Sequence, residues 1–540
     1  MRILNNYYFE TSDIAPFCVK EDSSKESLRA TMRECGVNTL AVVGENFLYR
    51  GLIGRSGLDA DYSGEWGRYK TDGFVLHGNT DIPESDLTFI PRLNYSGHIK
   101  SVLHRPLDLG KEKAPPCATI IGVGYVGLTL AVALGSRGMR VNGVDTDEEL
   151  IKLLRSGESH VHELGMNEAL SVARPNLKYF HGSSESRSPV VIVTVGTPLV
   201  QGTTEPNMAY LEEAFKAAID GVDSGGLIIL RSTVPIGTTR LLCEKYQSVL
   251  KSREIDVGFC PERTIEGNAI AELTTNPQVI GVESASALRK AYCLFGNFTR
   301  YAIVYTKYEQ AELAKLMDNV FRDAFFGVTN LFSRLARKHG VSGTEFLENQ
   351  KAHYPRNQFG IPSLGVGGPC LTKDYYLLKP SILGDAAEYH LSIGRSEHKK
   401  AFEWILDEIN KHSREFRYVN IVVMGLAFKG FPETQDIRNS PAIELLEVLV
   451  DRRSDDYAIY YYDTYVKNHS CSRATRLENL DNLVGNTIFV LMNNSEHLIR
   501  SGVQEFALKG DFAALIIDSF ALFRQNGVVF SGKHVVYKTS

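Results

Sequence analysis

Between Ala118 and Tyr305 short apolar runs recur, each followed by an amphipathic stretch: "ATIIGVG", "RVNGVD", "VVIVTVG", "GLIILRS", "DVGFCPE", "PQVIGV" and "AIVYT". Uniformly apolar strands alternating with helices predict a doubly wound parallel sheet. From Lys307 to about Ser413 a helical period replaces this alternation, broken only by the glycine-rich "GVGGPCLTKD", Gly365 to Asp374. The strand pattern returns from Tyr418 in "YVNIVVMGLAF", "AIYYYD", "NTIFVLMN", "AALIIDS" and "HVVYK", which predicts a second sheet of the same kind. Ahead of Ala118 the chain is more polar. There "SKESLRATMRECGVNTLAVVGENFLYRGLIGRSGL" reads as one amphipathic helix and two strands, and the charged, proline-ended "LGKEKAPP" reads as a linker.

Composition narrows the class. At 540 residues the chain exceeds one hydrophobic core, and 43% apolar with 23% charged residues is that of a soluble globular protein. The 59 basic and 64 acidic residues leave a net charge of -5, with no basic block to follow a phosphate backbone, so nucleic acid is not an expected partner. The eight cysteines (18, 35, 117, 243, 260, 293, 370 and 471) are scattered, without a metal-ligand spacing. That pattern points to unbridged thiols in a reducing cytoplasm and to no metal site. The N-terminus lacks the apolar run of a signal peptide. The uncharged "ATIIGVGYVGLTLAVALGS" has the length of a membrane span, but its glycines explain it otherwise, and no membrane partner is expected.

Those glycines form "GVGYVG": Gly122, Val123, Gly124, Tyr125, Val126 and Gly127 follow a strand and open a helix, and Asp145 ends the next strand. Gly122 permits the tight turn, Gly124 the approach of a pyrophosphate, and Gly127 the packing of helix on strand. Asp145 would accept hydrogen bonds from a ribose and repel a 2′-phosphate, which favours NAD over NADP. The turns "VTVGTP" and "RSTVPIGTT" place Thr197 and Thr233 at strand ends, where ligands of open α/β sheets bind. Thr197 is grouped with the cofactor contacts and Thr233 with the catalytic residues. The predicted architecture is thus two Rossmann-like doubly wound domains joined by a helical central domain, plus a small N-terminal α+β module. The expected bounds are 1–113 (module and linker), 114–305 (NAD), 306–415 (helical, carrying the Cys370 loop) and 416–540 (second Rossmann-like domain).

In order, "IIGVGYVGLTLAVALGSRGMRVNGVD", "VTVGTP", "STVPIGTT", "CPERTIEGNAIAEL", "AELAKLMDNVFRDAFFGVTN", "GVGGPCLTKD" and "GLAFKGFPETQDIRNSPA" resemble the UDP-glucose/GDP-mannose dehydrogenases, the nucleotide-sugar 6-dehydrogenases, over about Ala118 to Ser540. The resemblance implies oxidation of a UDP-sugar C6 hydroxyl to the carboxylate with two NAD per turnover, and a homodimer or higher homo-oligomer built on the long central helix. It implies that Cys370 is the nucleophile, that Lys315 and Asn319 stabilise oxyanions, and that Asp374 orders the lysine and a water. Glu262 and Glu266 would line the reacting end and contact substrate, one of them activating water; Lys315 and Asn319 contact substrate as well. Lys429 and Arg322 would touch substrate, and Arg438 and Lys373 the cofactor. Arg322–Asp323 and Arg263 resemble the UDP-N-acetylhexosamine branch, of the UDP-N-acetylmannosamine type. The N-terminal segment resembles one CBS motif, which implies a docking module or an adenylate ligand.

Three features depart from the family pattern. Pro362 is followed by Ser363 and Leu364 where Pro-Gly is usual, the interval from Lys429 to Arg438 is two residues longer, and "IIDSFALF" has no arginine after Asp518. UDP-glucose oxidation, a one-step β-hydroxy acid dehydrogenase and an inactive nucleotide-sensing homologue remain alternatives on sequence alone.

Overall fold

The computed structural model describes residues 117–539 except 183–186, 297–300, 353, 355, 416–418, 453–456, 468, 472, 529 and 531–534; of the first 116 residues it describes seven strands and one helix. The chain forms two compact units, Met1–Lys315 and Leu316–Ser540.

In the first unit the strands are β1 (Tyr8–Thr11), β2 (Cys18–Lys20), β3 (Thr39–Val43), β4 (Tyr49–Gly54), β5 (Leu76–His77), β6 (Phe89–Leu93), β7 (Ile99–His104), β8 (Cys117–Ile121), β9 (Arg140–Asp145), β10 (Leu177–His181), β11 (Ser188–Val193), β12 (Val222–Leu230), β13 (Asp256–Phe259), β14 (Gln278–Val282) and β15 (Tyr301–Tyr305). The helices used below are α1 (Lys25–Cys35), α2 (Tyr125–Gly135), α3 (Glu148–Ser156) and α4 (Met166–Ala173). All seven strands expected after Ala118 are present, and β10 joins them at the outer edge, in the order β10-β9-β8-β11-β12-β13-β14-β15. The apolar runs are continuous because both faces are covered. Val190 and Ile192 enter one core with Ile120, while Val191 and Val193 enter the other with Ile228 and Leu230. The "ATIIGVGYVGLTLAVALGS" stretch is β8 and α2, and no described helix is long and apolar enough to cross a membrane.

Two features differ from the expectation. The sheet is not wholly parallel, because β13 and β14 run antiparallel through Gly258↔Val282 and Phe259↔Gly281. The N-terminal segment also contributes to this same sheet: β1 pairs parallel with β15 and antiparallel with β7, and β6 and β5 extend it to twelve strands. Isolated short strands lacked the length to signal themselves in the sequence; the open edge of β15 gives them a partner. The expected helix and two strands are α1, β3 and β4, with β3 and β4 antiparallel and β2 beside β3. The linker at 109–116 lies outside the described residues.

Helix α5 (Tyr308–Lys338) leads into the second unit, with α6 (Leu371–Leu378), α7 (Ile393–Glu415), α8 (Pro441–Asp451) and strands β16 (Val419–Met424), β17 (Tyr457–Tyr462), β18 (Thr475–Arg476), β19 (Thr487–Leu491), β20 (Ala514–Asp518) and β21 (Val535–Lys538). All its strand pairs are parallel, in the order β18-β17-β16-β19-β20-β21. As in the first sheet, Ile421 and Val423 pack on one face and Val422 and Met424 on the other. Helices α5 and α7 cross where glycines meet. A Cβ on Gly327 would stand 2.6 Å from the Gly394 nitrogen.

Candidate active site

The glycine turn follows β8. Gly122 has φ +90°, a left-handed value open to glycine, and its N–H donates to the Val144 carbonyl at 2.7 Å. A Cβ on Gly127 would collide with the Gly122 carbonyl oxygen, so the third glycine is required by close packing of helix and turn. At Gly124 a Cβ would meet no protein atom within 4 Å, which leaves the space a pyrophosphate needs. Helix α2 has no side-chain cap, so its first N–H groups are available to phosphate oxygens. Asp145 Oδ2 accepts the Val123 N–H at 2.8 Å and Oδ1 the Asp147 N–H at 3.1 Å, which fixes the carboxylate at the end of β9. These residues fit NAD.

Behind this turn lies a link invisible in the sequence. Buried Glu163 accepts from Tyr125 Oη, from the Gly267 N–H and, at 2.7 Å, from the Ala269 N–H. It ties the fingerprint tyrosine to the loop that carries Glu266, itself half-buried. Thr197 and Thr233 are also tied together, since the Thr197 hydroxyl donates to the Thr233 carbonyl at 2.6 Å. The Thr197 hydroxyl proton is thereby committed to the protein, while its oxygen keeps lone pairs that can accept from a ligand.

Glu262 is the most constrained of the expected acids. Arg231, 1% exposed, donates to its Oε2 at 2.6 and 3.1 Å, and the N–H groups of Arg263 and Thr264 donate to its Oε1, each at 2.8 Å. Burial alone would raise the Glu262 carboxyl, but the Arg231 charge and these N–H donors outweigh it and hold it below the usual glutamate range. Arg231 also reaches the Cys260 carbonyl and Gln278, both at 3.1 Å. Burial pushes the Cys260 and Cys243 thiols up to about 12, which makes both inert at neutral pH. Lys315, buried at 7% exposure, lies one turn before Asn319 on α5.

In the second unit Cys370 is exposed and stands at the N-cap of α6. The helix dipole there favours a thiolate. One turn on, Asp374 is fully buried; its Oδ2 accepts from Asn319 Nδ2 at 2.6 Å and its Oδ1 from Lys373 Nζ at 2.7 Å. Asp374 therefore sets the orientation of the Asn319 amide, and the Lys373 ammonium rests on Asp374.

Residues 117–299 match the NAD binding domain of the UDP-glucose/GDP-mannose dehydrogenase family, and residues 309–393 match its central domain. UDP-N-acetyl-D-mannosamine dehydrogenase of Pyrococcus horikoshii is 34% identical over 375 residues, covering 68% of this chain and 87% of that protein. The chain belongs to this family. It is an NAD-dependent nucleotide-sugar dehydrogenase, an oxidoreductase. The Escherichia coli K12 enzyme of the same name is 26% identical over 407 residues, 71% of this chain and 95% of its own. The solved structure of the Pyrococcus horikoshii protein superposes with a TM-score of 0.68 at 29% identity, over 78% of this chain and 98% of that one.

The glycines ahead of the dehydrogenase's exposed cysteine serve packing. A Cβ on Gly367 would stand 2.5 Å from Pro441 Cδ, one on Gly368 (φ +94°) 2.7 Å from the Phe428 ring, and one on Gly365 would collide with His398. Gly368 N–H donates to the Asn439 carbonyl at 3.2 Å, and Asn439 Nδ2 to Thr372 Oγ1 at 3.0 Å, so the Cys370 loop and the Lys429–Arg438 loop interlock. Lys429 is half-buried with its ammonium 5.6 Å from the Phe428 ring centre. Arg438 is held on Asp436, at 2.5 Å from Nη2 to Oδ2. Arg322 is exposed on α5 beside Asp323, which is buried and paired with Arg395; that arginine also donates to the Val366 carbonyl at 3.2 Å. Arg395 thus joins α5 to the cysteine loop, a role no local motif announces. The divergent Ser363–Leu364 is absorbed by packing: Ser363 N–H donates to Asn330 Oδ1 at 2.9 Å, and Leu364 is 1% exposed in the core.

Proposed function

We propose that this dehydrogenase oxidises C6 of a UDP-N-acetylhexosamine, of the UDP-N-acetylmannosamine type, to the carboxylate through a thioester on Cys370. The observation that supports the route is an exposed cysteine at a helix N-terminus with buried Asp374 one turn on, which holds buried Asn319 and half-buried Lys373. The sugar class is supported by the names of the relatives from Pyrococcus horikoshii and Escherichia coli.

NAD held at the Gly122–Gly127 turn would supply the hydride acceptor for two successive oxidations at C6, the hydroxyl proton of each passing to water. Between them the Cys370 thiolate adds to the aldehyde carbon, and the resulting alkoxide takes a proton to become a thiohemiacetal. After the second oxidation, water attacks the thioester carbonyl, the C–S bond breaks, and the carboxylate leaves with Cys370 restored. Lys315 and Asn319 offer donors to the oxyanions of both additions. Asp374 acts by holding Asn319 and Lys373. Glu262 has both oxygens engaged by Arg231 and by backbone N–H groups; Glu262 and Glu266 are assigned to the reacting end, one of them as the base for the hydrolytic water, and Thr233 is assigned to the catalytic residues. Arg322 and Lys429 are assigned to substrate, and Arg438, Lys373 and Thr197 to the cofactor. Residues 416–540 are assigned to UDP-sugar binding. A homodimer is proposed on the exposed apolar stripe of α5, Leu313, Met317, Phe321, Val328, Phe332 and Leu335, and the cytoplasm as compartment on the scattered cysteines.

A panel of UDP-hexoses and UDP-N-acetylhexosamines, read by NADH release, tests the reading. Two NADH per N-acetylated sugar are expected. In Cys370→Ser, carboxylate formation should fall at least ~10³-fold. One NADH per sugar with a stable aldehyde would sink the thioester route; a preference for UDP-glucose would sink the sugar assignment. Adding AMP or ATP to the same assay tests the adenylate role proposed for the N-terminal segment, which predicts a change in rate.

A further inference from the structure

The first unit has a cavity that this chemistry does not use. It lies at the outer edge of the large sheet, beside β10, and has a volume of ≈ 430 Å³. Its wall includes the last turn of α3 through Leu154 and Arg155. That helix starts just beyond Asp145 at the end of β9, and its last turn lines the cavity together with Leu177 at the start of the parallel strand β10, the end of the sheet opposite the glycine loop.

Three cations line the cavity, Arg155, Arg174 and Lys178, and no carboxylate does so among the described residues. The two guanidinium groups are held in place. Arg155 Nε donates to the Tyr179 carbonyl at 2.9 Å, and Arg174 is packed over Gly157, where a Cβ would stand 2.8 Å from Nη1. Gly157, at φ +91°, closes α3. A helix C-terminus favours a cation, which accounts for Arg155 and for Arg174, whose Nη2 donates to the Ser156 carbonyl at 3.4 Å, but not for Lys178 on the same cavity wall. Leucines 154, 170 and 177 supply apolar wall. Tyr179 also lines the cavity; it is 8% exposed, and its hydroxyl has no hydrogen-bond partner among the described residues. A buried hydroxyl left unpaired is costly, and arginine forks match phosphate oxygens in geometry.

We propose that this cavity binds a phosphorylated small molecule of about nucleotide size, at a place separate from the NAD loop. The cations would take the phosphate, and the leucines and Tyr179 the organic part.

The test uses the full-length protein with saturating NAD, which blocks the glycine loop, titrated calorimetrically with inorganic phosphate, inorganic pyrophosphate and ADP. At least one of these should bind with a Kd below ~1 mM at 0.1 M salt, where charge attraction is already screened beyond about 10 Å. Arg155→Gln/Arg174→Gln should weaken it at least ~10-fold, and Lys178→Gln, which alters an exposed side chain alone, by ~3-fold or more. Tighter binding of ADP than of pyrophosphate would place an organic group on the leucines; equal binding would identify phosphate alone as the ligand. Absence of binding by the unaltered protein, or unchanged affinity in both variants, overturns the proposal. If the double variant does not fold, Lys178→Gln decides.

Discussion

Glu262 shows how a neighbour decides a residue's role. A buried ion pair that loses one partner leaves the other charge uncompensated, which costs about 3–5 kcal/mol. Glu262→Gln should therefore lower stability by that order in chemical denaturation while Arg231 remains. The pH dependence has a definite sign. Because the folded carboxyl lies below its ordinary value of 4.5, the stabilisation from this pair is present above 4.5 and is lost as pH falls below it. A pH series of melting temperatures should show an acid-side decline that is shallower in Glu262→Gln, the remainder coming from carboxyls such as Asp256 and Glu397 that are also held low by their cationic partners. In the sequence Glu262 and Glu266 were equivalent candidates; only the position of Arg231, thirty-one residues earlier in the chain, distinguishes them.

Among elements, the turn from β8 into α2 was the most legible, because its glycines answer local demands. Gly127→Ala would drive a methyl group into the Gly122 carbonyl and move the turn. The expected result is a loss of about 1–3 kcal/mol of stability and a rise in KM for NAD of at least ~10-fold, measured by denaturation and by steady-state kinetics. The loop before Cys370 was legible as important but not in its reason. Its glycines suggested access for a substrate, whereas Gly367 and Gly368 admit Pro441 and Phe428, sixty or more residues later. No spacing rule relates segments that far apart. The short strand β10 was missed for a similar reason: "LKYFH" has too little apolar character and acquires its place from pairing with β9.

For the whole molecule, α5 carries an exposed apolar stripe: Leu313, Met317, Phe321, Val328, Phe332 and Leu335, with Phe321 72% exposed. Such a row at helical spacing on one helix face fits burial against a second copy. Phe321→Glu/Phe332→Glu should shift the protein to monomer in light scattering, whereas an unaltered mass would argue against this face as the interface. The N-terminal strands give a second prediction. Since β1 covers the edge of β15, removing residues 1–113 should expose that edge, lower the melting temperature and promote aggregation. A truncated chain that melts and remains soluble like the intact protein would show that the segment is an independent module.

The sequence by itself determined the two doubly wound sheets and the NAD turn, because strand burial and glycine geometry are set by neighbours a few residues apart, and it pointed to Cys370 through the family's motif. Tertiary structure alone decided which glutamate is locked by Arg231, what Gly367 and Gly368 pack against, how Glu163 and Arg395 brace their loops, and that the N-terminal strands extend the large sheet. Each of these depends on which distant segment lies alongside, a relation carried by hydrogen bonds and close packing between strands and loops and by no local pattern of residues.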